Sequence, residues 1–287
     1  MRSQSSSNFT TEDLVDITKQ CKERGVKTYL TINTVLYDHD IALMKKIVLA
    51  AKESGVSAII ASDHAAMAYA KSINMPVHVS TQANVCSWQS VQFWENQGAD
   101  LCVLGREVSF AELTEIREKC PDIKLEAFVH GAMCMTYSGR CLLSNFMAER
   151  GANQGACANS CRWKYKVHMQ LKDGTTKELN LTEENLELFD FLLEEEMRPG
   201  ELMPIEEDDR GSYILNAKDL CIMPKLDDYL RIGVDSLKVE GRGKSVYYVA
   251  LIARAYRMAI DDWYDDPENW NADDYMAELL TVPSRGY

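Results

Sequence analysis

The sequence predicts an α/β protein of the TIM-like (β/α) barrel type, and three observations lead there. Short β-branched or apolar runs recur every ~20–25 residues along the first half of the chain. Stretches with helical spacing of apolar residues fill the intervals. Polar residues gather where the strand-like runs stop, which is where barrels carry their sites.

Thr10 opens an amphipathic helix that ends near Gly25, and Lys27 to Leu36 is β-rich. Asp40 to Ser54 places Ile41, Met44, Ile47, Val48 and Ala51 at helical spacing and stops at Gly55. Strands follow at Val56–Ser62, Val77–Thr81, Leu101–Leu104 and Leu125–Val129, with helices at Ser87–Gln97 and Ser109–Lys119. Parallel strands with helical crossovers leave a closed barrel or an open doubly wound sheet. No Gly-x-Gly-x-x-Gly opens a helix after a strand, which weakens the dinucleotide-binding form of the second. Asn33 and Thr34 end one strand; Ser62, Asp63 and His64 the next; Ser80, Thr81, Gln82 and Asn84 the third; Arg106 and Glu107 the fourth; His130 the fifth. Singly, Ser62, Asp63 or Ser109 reads equally well as a helix cap.

The rhythm breaks after Cys161. Lys164–Leu171 and Thr175–Leu181 read as a hairpin about Lys172-Asp-Gly174, and an acidic helix is expected from Glu184 to Met197, ended by Pro199-Gly200. The βα pattern returns with Tyr213–Leu215, Lys218–Cys221, a helix at Leu226–Ile232, the strand Ser236–Val239 and a long helix from Ser245 to about Trp263. The organisation expected is therefore barrel units over 1–163 including a Cys-rich loop, an insertion over 164–209, the remaining barrel units over 210–265 and a tail over 266–287.

Size and composition narrow the functions. No run approaches the ~18 apolar residues of a membrane span, and the polar start lacks a secretory core, so a cytoplasmic location is expected. Reduced thiols are the rule there, and the nine cysteines form an odd set. A net charge of −13 disfavours broad binding to phosphate backbones.

The densest chemistry lies in one stretch. Cys134, Cys141, Cys157 and Cys161 stand with six, fifteen and three residues between them. Thiols at short spacing among glycines suit a soft metal or an iron–sulfur cluster. The absence of Cys-x-x-Cys knuckles lowers zinc. The fourth ligand is Cys161 or the distant Cys221. Cys21, Cys86, Cys102 and Cys120 fall on elements and read as structural. A nucleophilic cysteine is the competing reading, with His130 as its base. Lys238-Val-Glu240-Gly241-Arg242-Gly243-Lys244-Ser245 joins a strand to a helix, and Arg242, Lys244 and Arg106 could clamp an anion. Glu126 and Glu240 are acids in β-like runs, either functional or halves of structural pairs with Arg106 or Arg242.

Two runs carry a resemblance: Glu126-x-Phe128-x-x-Gly131-Ala-Met-Cys134, then Tyr137-Ser138-Gly139-x-Cys141-x-Leu143-Ser144. Together they resemble the signature of peptidase family U32, the collagenase-like proteins. His78-x-Ser80-Thr81-Gln82-x-Asn84, Arg106-Glu107-Val-Ser109, Lys218-Asp219-Leu220-Cys221 and Lys238-x-Glu240-Gly241-Arg242-x-Lys244-Ser245 extend the similarity over nearly the whole chain. The run from Tyr137 with Cys157-Ala-Asn-Ser-Cys161 is most similar to the bacterial tRNA-hydroxylation branch. The resemblance implies a TIM-like barrel that here begins two strands late. It also implies a four-iron four-sulfur cluster on Cys134, Cys141, Cys157 and Cys221, with Cys161 as the alternative ligand. The activity implied is hydroxylation of a tRNA uridine with prephenate as co-substrate, or else proteolysis of collagen-like substrates. Catalytic roles are expected at Glu126, His130 and Glu240. Substrate or anion contacts are expected at Ser80, Gln82, Asn84, Arg106, Glu107, Arg242 and Lys244. The RNA partner rests on the resemblance.

Overall fold

The protein was analysed as a computed structural model. It describes residues 9–134, 136–137, 141–150, 157–158, 160–162, 168–170, 176–178, 192–194, 202–204, 206–208, 211–213, 218–241, 244–284 and 286–287. By contacts the chain separates into a larger unit, Met1–Ala158 with Ala217–Tyr287, and a smaller one, Asn159–Asn216.

The larger unit is built on parallel βα repeats. Strands β1 (Tyr29–Ile32), β2 (Ala58–Ala61), β3 (Val77–Val79), β4 (Leu101–Val103) and β5 (Lys124–Gly131) lie side by side in chain order, all parallel. The last parallel strand, β13 (Ser236–Val239), adds to the far side of β5. The short β12 (Leu220–Cys221) runs antiparallel to the end of β5, with Leu220 opposite Gly131 and Cys221 opposite His130. The sheet curls into a half-barrel with helices on its outside. Helix α1 (Leu14–Lys22) precedes it, and α2 (Ile41–Glu53), α3 (His64–Ser72), α4 (Trp88–Asn96) and α5 (Phe110–Lys119) make the successive crossovers.

Strand alternation sorts the side chains. Ile59, Ala61, Val77, Val79, Cys102, Leu104, Leu125, Ala127 and Val129 point outward into the main core under the helices. Leu101, Val103 and Phe128 point the other way and form a small separate cluster with Leu220. Tyr29 and His78 share that inner face, ring to ring at 4.7 Å.

The helix starts are set by the polar residues that follow the strands. Asp63 accepts from Ala65 N at 2.8 Å, Ser87 caps α4, and Ser109 with Glu112 forms a reciprocal capping box. Helix α3 is an addition to the expected elements; its Ala-rich run has little apolar contrast between faces. The crossover from α5 into β5 is pinned by Arg117, whose guanidinium donates to the carbonyls of Pro121 and Ile123 at 3.0 and 3.1 Å. It also pairs with Asp235 at 2.6 Å, and Asp235 accepts from Leu125 N at 2.9 Å. This knot aligns the start of β13 with β5.

Beyond β5, α6 (Leu143–Ala148) lies within the Cys-rich segment. Then α7 (Leu226–Ile232) leads into β13, and α8 (Val246–Asp265) starts at the Ser245 cap. The expected tail contains a further helix, α9 (Asp273–Leu279), which packs on α8 and buries Tyr275 and Leu279, with Val282 beyond it.

In the smaller unit, β6 (His168–Gln170) pairs antiparallel with β7 (Thr176–Glu178), the hairpin expected about Gly174. Two expectations are corrected there. Leu192–Glu194, placed in the acidic helix, is instead strand β8, paired antiparallel with β9 (Leu202–Pro204). Leu193 stands opposite Met203 in the ladder, and Pro199-Gly200 falls between the two strands in sequence. Tyr213, read as the return of the βα pattern, belongs to β11 (Gly211–Tyr213), antiparallel to β10 (Glu206–Asp208).

Ile59 is fully buried at the centre of the main core. Ile59→Ala is expected to cost about 2–5 kcal/mol and Ile59→Val about 1 kcal/mol. Urea unfolding midpoints at unchanged slope would measure both.

Candidate functional site

The carboxyl ends of β1–β3 carry an uncharged polar network. Asn33 follows β1 on the same side as Tyr29, and its Nδ2 donates to Ser80 Oγ at 3.0 Å. Ser80 Oγ lies 3.4 Å from Gln82 Oε1, and Ser62 Oγ donates to the carbonyl of Asn33 at 3.3 Å. Thr81–Ala83 form a 3-10 turn that ends at Asn84 in the left-handed region, φ 52°. Asn tolerates that conformation better than other side chains bearing a Cβ. Asn33 Oδ1, both side-chain heteroatoms of Asn84 and His78 Nδ1 are buried without a protein partner. An unmet buried polar atom costs about 1–3 kcal/mol.

The ends of β4, β5 and β13 carry charges that answer one another. Glu126, buried on β5, accepts from Lys238 Nζ at 2.5 Å and from Ser236 Oγ at 2.8 Å. Arg106 pairs with Glu240 at 2.9 Å and lies over the Phe128 ring at 3.6 Å, while the Lys238 ammonium stands 5.6 Å from that ring. Lys244 is 3.9 Å from the buried Asp219 and 4.7 Å over the Tyr248 ring. The structural-pair reading of the two acids therefore describes their contacts, with Lys238 rather than an arginine as the partner of Glu126. Gly131 makes this packing possible: its φ is 116°, and a Cβ there would lie 2.7 Å from Glu240 Cβ and from the Glu240 carbonyl oxygen. Glu107 is exposed, and Arg242 lies outside the described residues.

His130 is enclosed. Its Nδ1 is 3.5 Å from Tyr256 Oη and its Nε2 is 3.2 Å from Tyr287 Oη, with Tyr248 a third ring neighbour. Tyr256 donates to the carbonyl of Val129 at 2.8 Å, so it can only accept from the imidazole. That places the proton on Nδ1 and leaves Nε2 to accept from Tyr287. Burial holds the imidazole down at about 4, with Lys244 assisting and Asp219 opposing. This is a neutral histidine held by tyrosines, not a base facing Cys134. Neither the tyrosines nor Lys238 stood out among the sequence-derived site residues.

The candidate thiols are spread over several segments of the larger unit and one of the smaller. Cys134 follows β5 directly, and β12 brings Cys221 to the last residues of that strand. Ser144, buried in α6, donates to the carbonyl of Arg150 and accepts from Ala158 N, both at 2.8 Å. This returns the Cys157 segment to the helix that follows Cys141. The donor type and the chain placement thus suit a soft metal. Convergence is another matter: among the described residues no three His, Cys, Asp or Glu side chains group closely enough to hold an ion. Cys221 Sγ instead lies 4.0 Å from Tyr256 Oη and from Met276 Sδ, and burial pushes its thiol up. Cys161 belongs to the smaller unit. Cys102 and Cys120 are buried in the outer core, as structural cysteines should be.

Two outcomes follow from these contacts. Lys238→Met is expected to destabilise by about 3 kcal/mol by stranding the Glu126 charge, and Glu126→Gln in the same chain should restore most of that loss. A double-mutant cycle in urea measures it. The unfolded imidazole of His130 takes a proton near 6.5, the folded one only near 4. Between those values the unfolded chain binds more protons, so stability should fall as pH drops through the window and be indifferent to this group above it. Stability measured against pH should show a shallower acid slope in His130→Gln.

Peptidase family U32 matches residues 1–287. The chain is 40% identical over 253 residues to "tRNA hydroxylation protein P" of Escherichia coli, covering 83% of this chain and 56% of that protein. It is 35% identical over 265 residues to "tRNA hydroxylation protein P1" of Bacillus subtilis, covering 92% and 56%. It is 37% identical over 301 residues to a "Collagenase" of Porphyromonas gingivalis, covering 100% and 64%. The chain thus spans little more than half the length of the two tRNA hydroxylation relatives. A solved U32 peptidase overlaps 43% of this chain and 54% of its own at 18% identity and a TM-score of 0.37, too partial a likeness to carry an argument. No helix among the described residues is long and apolar enough to cross a membrane. With the family signature spread over β5, the Cys-rich segment, β12 and β13, the chain belongs to peptidase family U32.

Proposed function

We propose that this chain takes part in the hydroxylation of a base in tRNA. The observation that carries the reading is that β12 sets Cys221 opposite His130 at the end of β5, four residues before Cys134, on a chain 40% identical to a tRNA hydroxylation protein. Base hydroxylation removes two electrons from the base and adds an oxygen atom, for which this reading needs a co-substrate, prephenate by the resemblance, and cysteine thiolates are the means by which a protein holds a redox-active iron centre. In this reading Cys134, Cys141, Cys157 and Cys221 would hold an iron–sulfur cluster of the four-iron four-sulfur type, with Cys161 as the alternative ligand, and would have to draw together on binding it, since no three of them are grouped among the described residues. When bound, the cluster would supply one-electron chemistry at the strand ends. The chain's own residues bind and orient the substrate. The hydrogen-bonded group Asn33, Ser80 and Gln82 at the strand ends would face it. The pairs Glu126–Lys238 and Arg106–Glu240 hold that face rigid, and Phe128 keeps its floor dry.

A collagenase-like peptidase is the second reading, favoured by the full-length match to the Porphyromonas gingivalis protein. Hydrolysis needs an activated nucleophile. The enclosure of His130 by Tyr256 and Tyr287 counts against the base that Cys134 would require.

Anaerobically purified protein should contain iron and acid-labile sulfide in equal amounts with visible charge-transfer absorbance, and Cys134→Ala should lose most of both. Mass analysis of tRNA nucleosides from a deletion strain should lack a hydroxylated base, restored by the wild-type gene but not by Cys134→Ala. An unchanged nucleoside profile together with gelatin cleavage by the metal-free protein would reverse the ranking.

A further inference from the structure

Strand β12 and helix α9 bring two soft donors together. Cys221 Sγ and Met276 Sδ lie 4.0 Å apart, and both residues are half-buried against the main core. The thiol has a second recorded neighbour, the Tyr256 hydroxyl, also at 4.0 Å. That hydroxyl directs its proton to the Val129 carbonyl. Both neighbours of the thiol are therefore neutral. Asp219, two residues earlier on the chain, is engaged by Lys244 at 3.9 Å. Among the described residues no three His, Cys, Asp or Glu side chains gather into an ion site. An ion held at Cys221 would thus rest on one thiolate and one thioether.

The spacing suits a single ion between the two sulfurs. With metal–sulfur bonds of about 2.3 Å, an ion spans 4.0 Å at an angle of about 120°, and neither side chain has to move. Charge then decides which ion. A thiolate and a monovalent cation make a neutral unit, which a half-buried apolar setting does not penalise. A divalent cation would keep a net positive charge on these two ligands, and burial disfavours that. Hardness narrows the choice further. Magnesium and calcium take oxygen ligands, whereas cysteine and methionine together select copper(I).

We propose that Cys221 and Met276 form a binding site for a soft monovalent metal ion of the copper(I) type, for which silver(I) is the redox-inert probe. Binding breaks the S–H bond of Cys221, sends the proton to solvent and forms a sulfur–metal bond, with no electrons exchanged. The site goes beyond the tRNA-hydroxylation reading and does not need it. It bears on that reading because the same thiol is assigned there to a cluster, and an ion seated against Met276 withholds it.

The test adds one equivalent of silver(I) to the full reduced chain, freed of iron, and maps modified peptides by mass spectrometry. In wild-type protein the ion should slow alkylation of Cys221 by iodoacetamide about tenfold or more, since the bound sulfur is no longer a free nucleophile. It should also spare Met276 from sulfoxide formation by hydrogen peroxide, while the exposed Met147 and Met258 still oxidise. Zinc(II) at the same concentration should do neither. Met276→Leu, close in volume, should lose most of the protection of Cys221, and Cys221→Ser should lose that of Met276. Should Met276→Leu loosen α9, the wild-type comparison of Met276 with Met147 and Met258 decides without any variant. An unprotected Cys221 or Met276 in wild-type protein overturns the proposal, as does equal protection by zinc(II) or full protection of Cys221 in Met276→Leu. Iron and sulfide are counted in separate preparations without silver, so the absence of a cluster leaves this inference standing and the presence of one does not rescue it.

Discussion

Strand β5 has to satisfy two faces and two edges at once, and the rest of the larger unit is arranged around that constraint. Its outward residues, Leu125, Ala127 and Val129, enter the main core under the helices. Its inward residues, Glu126 and Phe128, enter a face where a bare carboxylate would be strongly unfavourable. The solution is an alternation of charge and ring across neighbouring strands. Lys238 neutralises Glu126, Phe128 lies between the Lys238 and Arg106 cations, and Glu240 closes the series. A register shift in the β13 ladder at Lys238 and Val239 then sends His130 to the helix side, among tyrosines of α8 and Tyr287. One strand thereby builds the floor of the concave face and the wall behind it.

This balance changes what the face can recognise. A half-barrel lined with unmatched arginines and lysines would attract any anion. Here Arg106 and Lys238 each face a carboxylate, and the groups at the ends of β1 and β3 that hydrogen-bond one another are uncharged. That agrees with a chain of net charge −13, for which contact with an RNA backbone gains nothing from overall electrostatics.

The parallel frame was legible because most βα units wrote their period twice, once in a short apolar run and once in an amphipathic helix; α3, with its Ala-rich run, was the exception. Of the three residues weighed as caps, Asp63 and Ser109 are caps and Ser62 instead donates to the Asn33 carbonyl, while Ser87 caps its helix as well. The smaller unit was less legible. The acid-rich run from Glu183 favours helix by propensity, but three-residue strands such as Leu192–Glu194 are fixed by a partner several residues away, which no local pattern reports. The site was readable in part. Glu126 and Glu240 could be recognised as buried acids, yet their partners could not be assigned, since Lys238 is 112 positions from Glu126. Asn33 gave only the weak signal of a polar residue after a strand, because its meaning depends on Ser80, 47 positions on. His130 was singled out as a base because spacing shows proximity in sequence; its enclosure depends on tyrosines contributed by α8 and by residue 287.

The knot of Arg117, Asp235 and the Leu125 amide ties the opening of β5 to a residue 110 positions later. Synthesis is vectorial, and a ribosome adds about 5–20 residues each second. The nascent chain must therefore hold four finished βα units and β5, with one lateral edge of β5 unmated, for several seconds while the whole smaller unit emerges. During that interval the neighbouring polypeptide most available to the bare edge is another nascent copy on the same message. Yield of this protein should thus depend on elongation speed and on trigger-type chaperones more than its final stability would suggest.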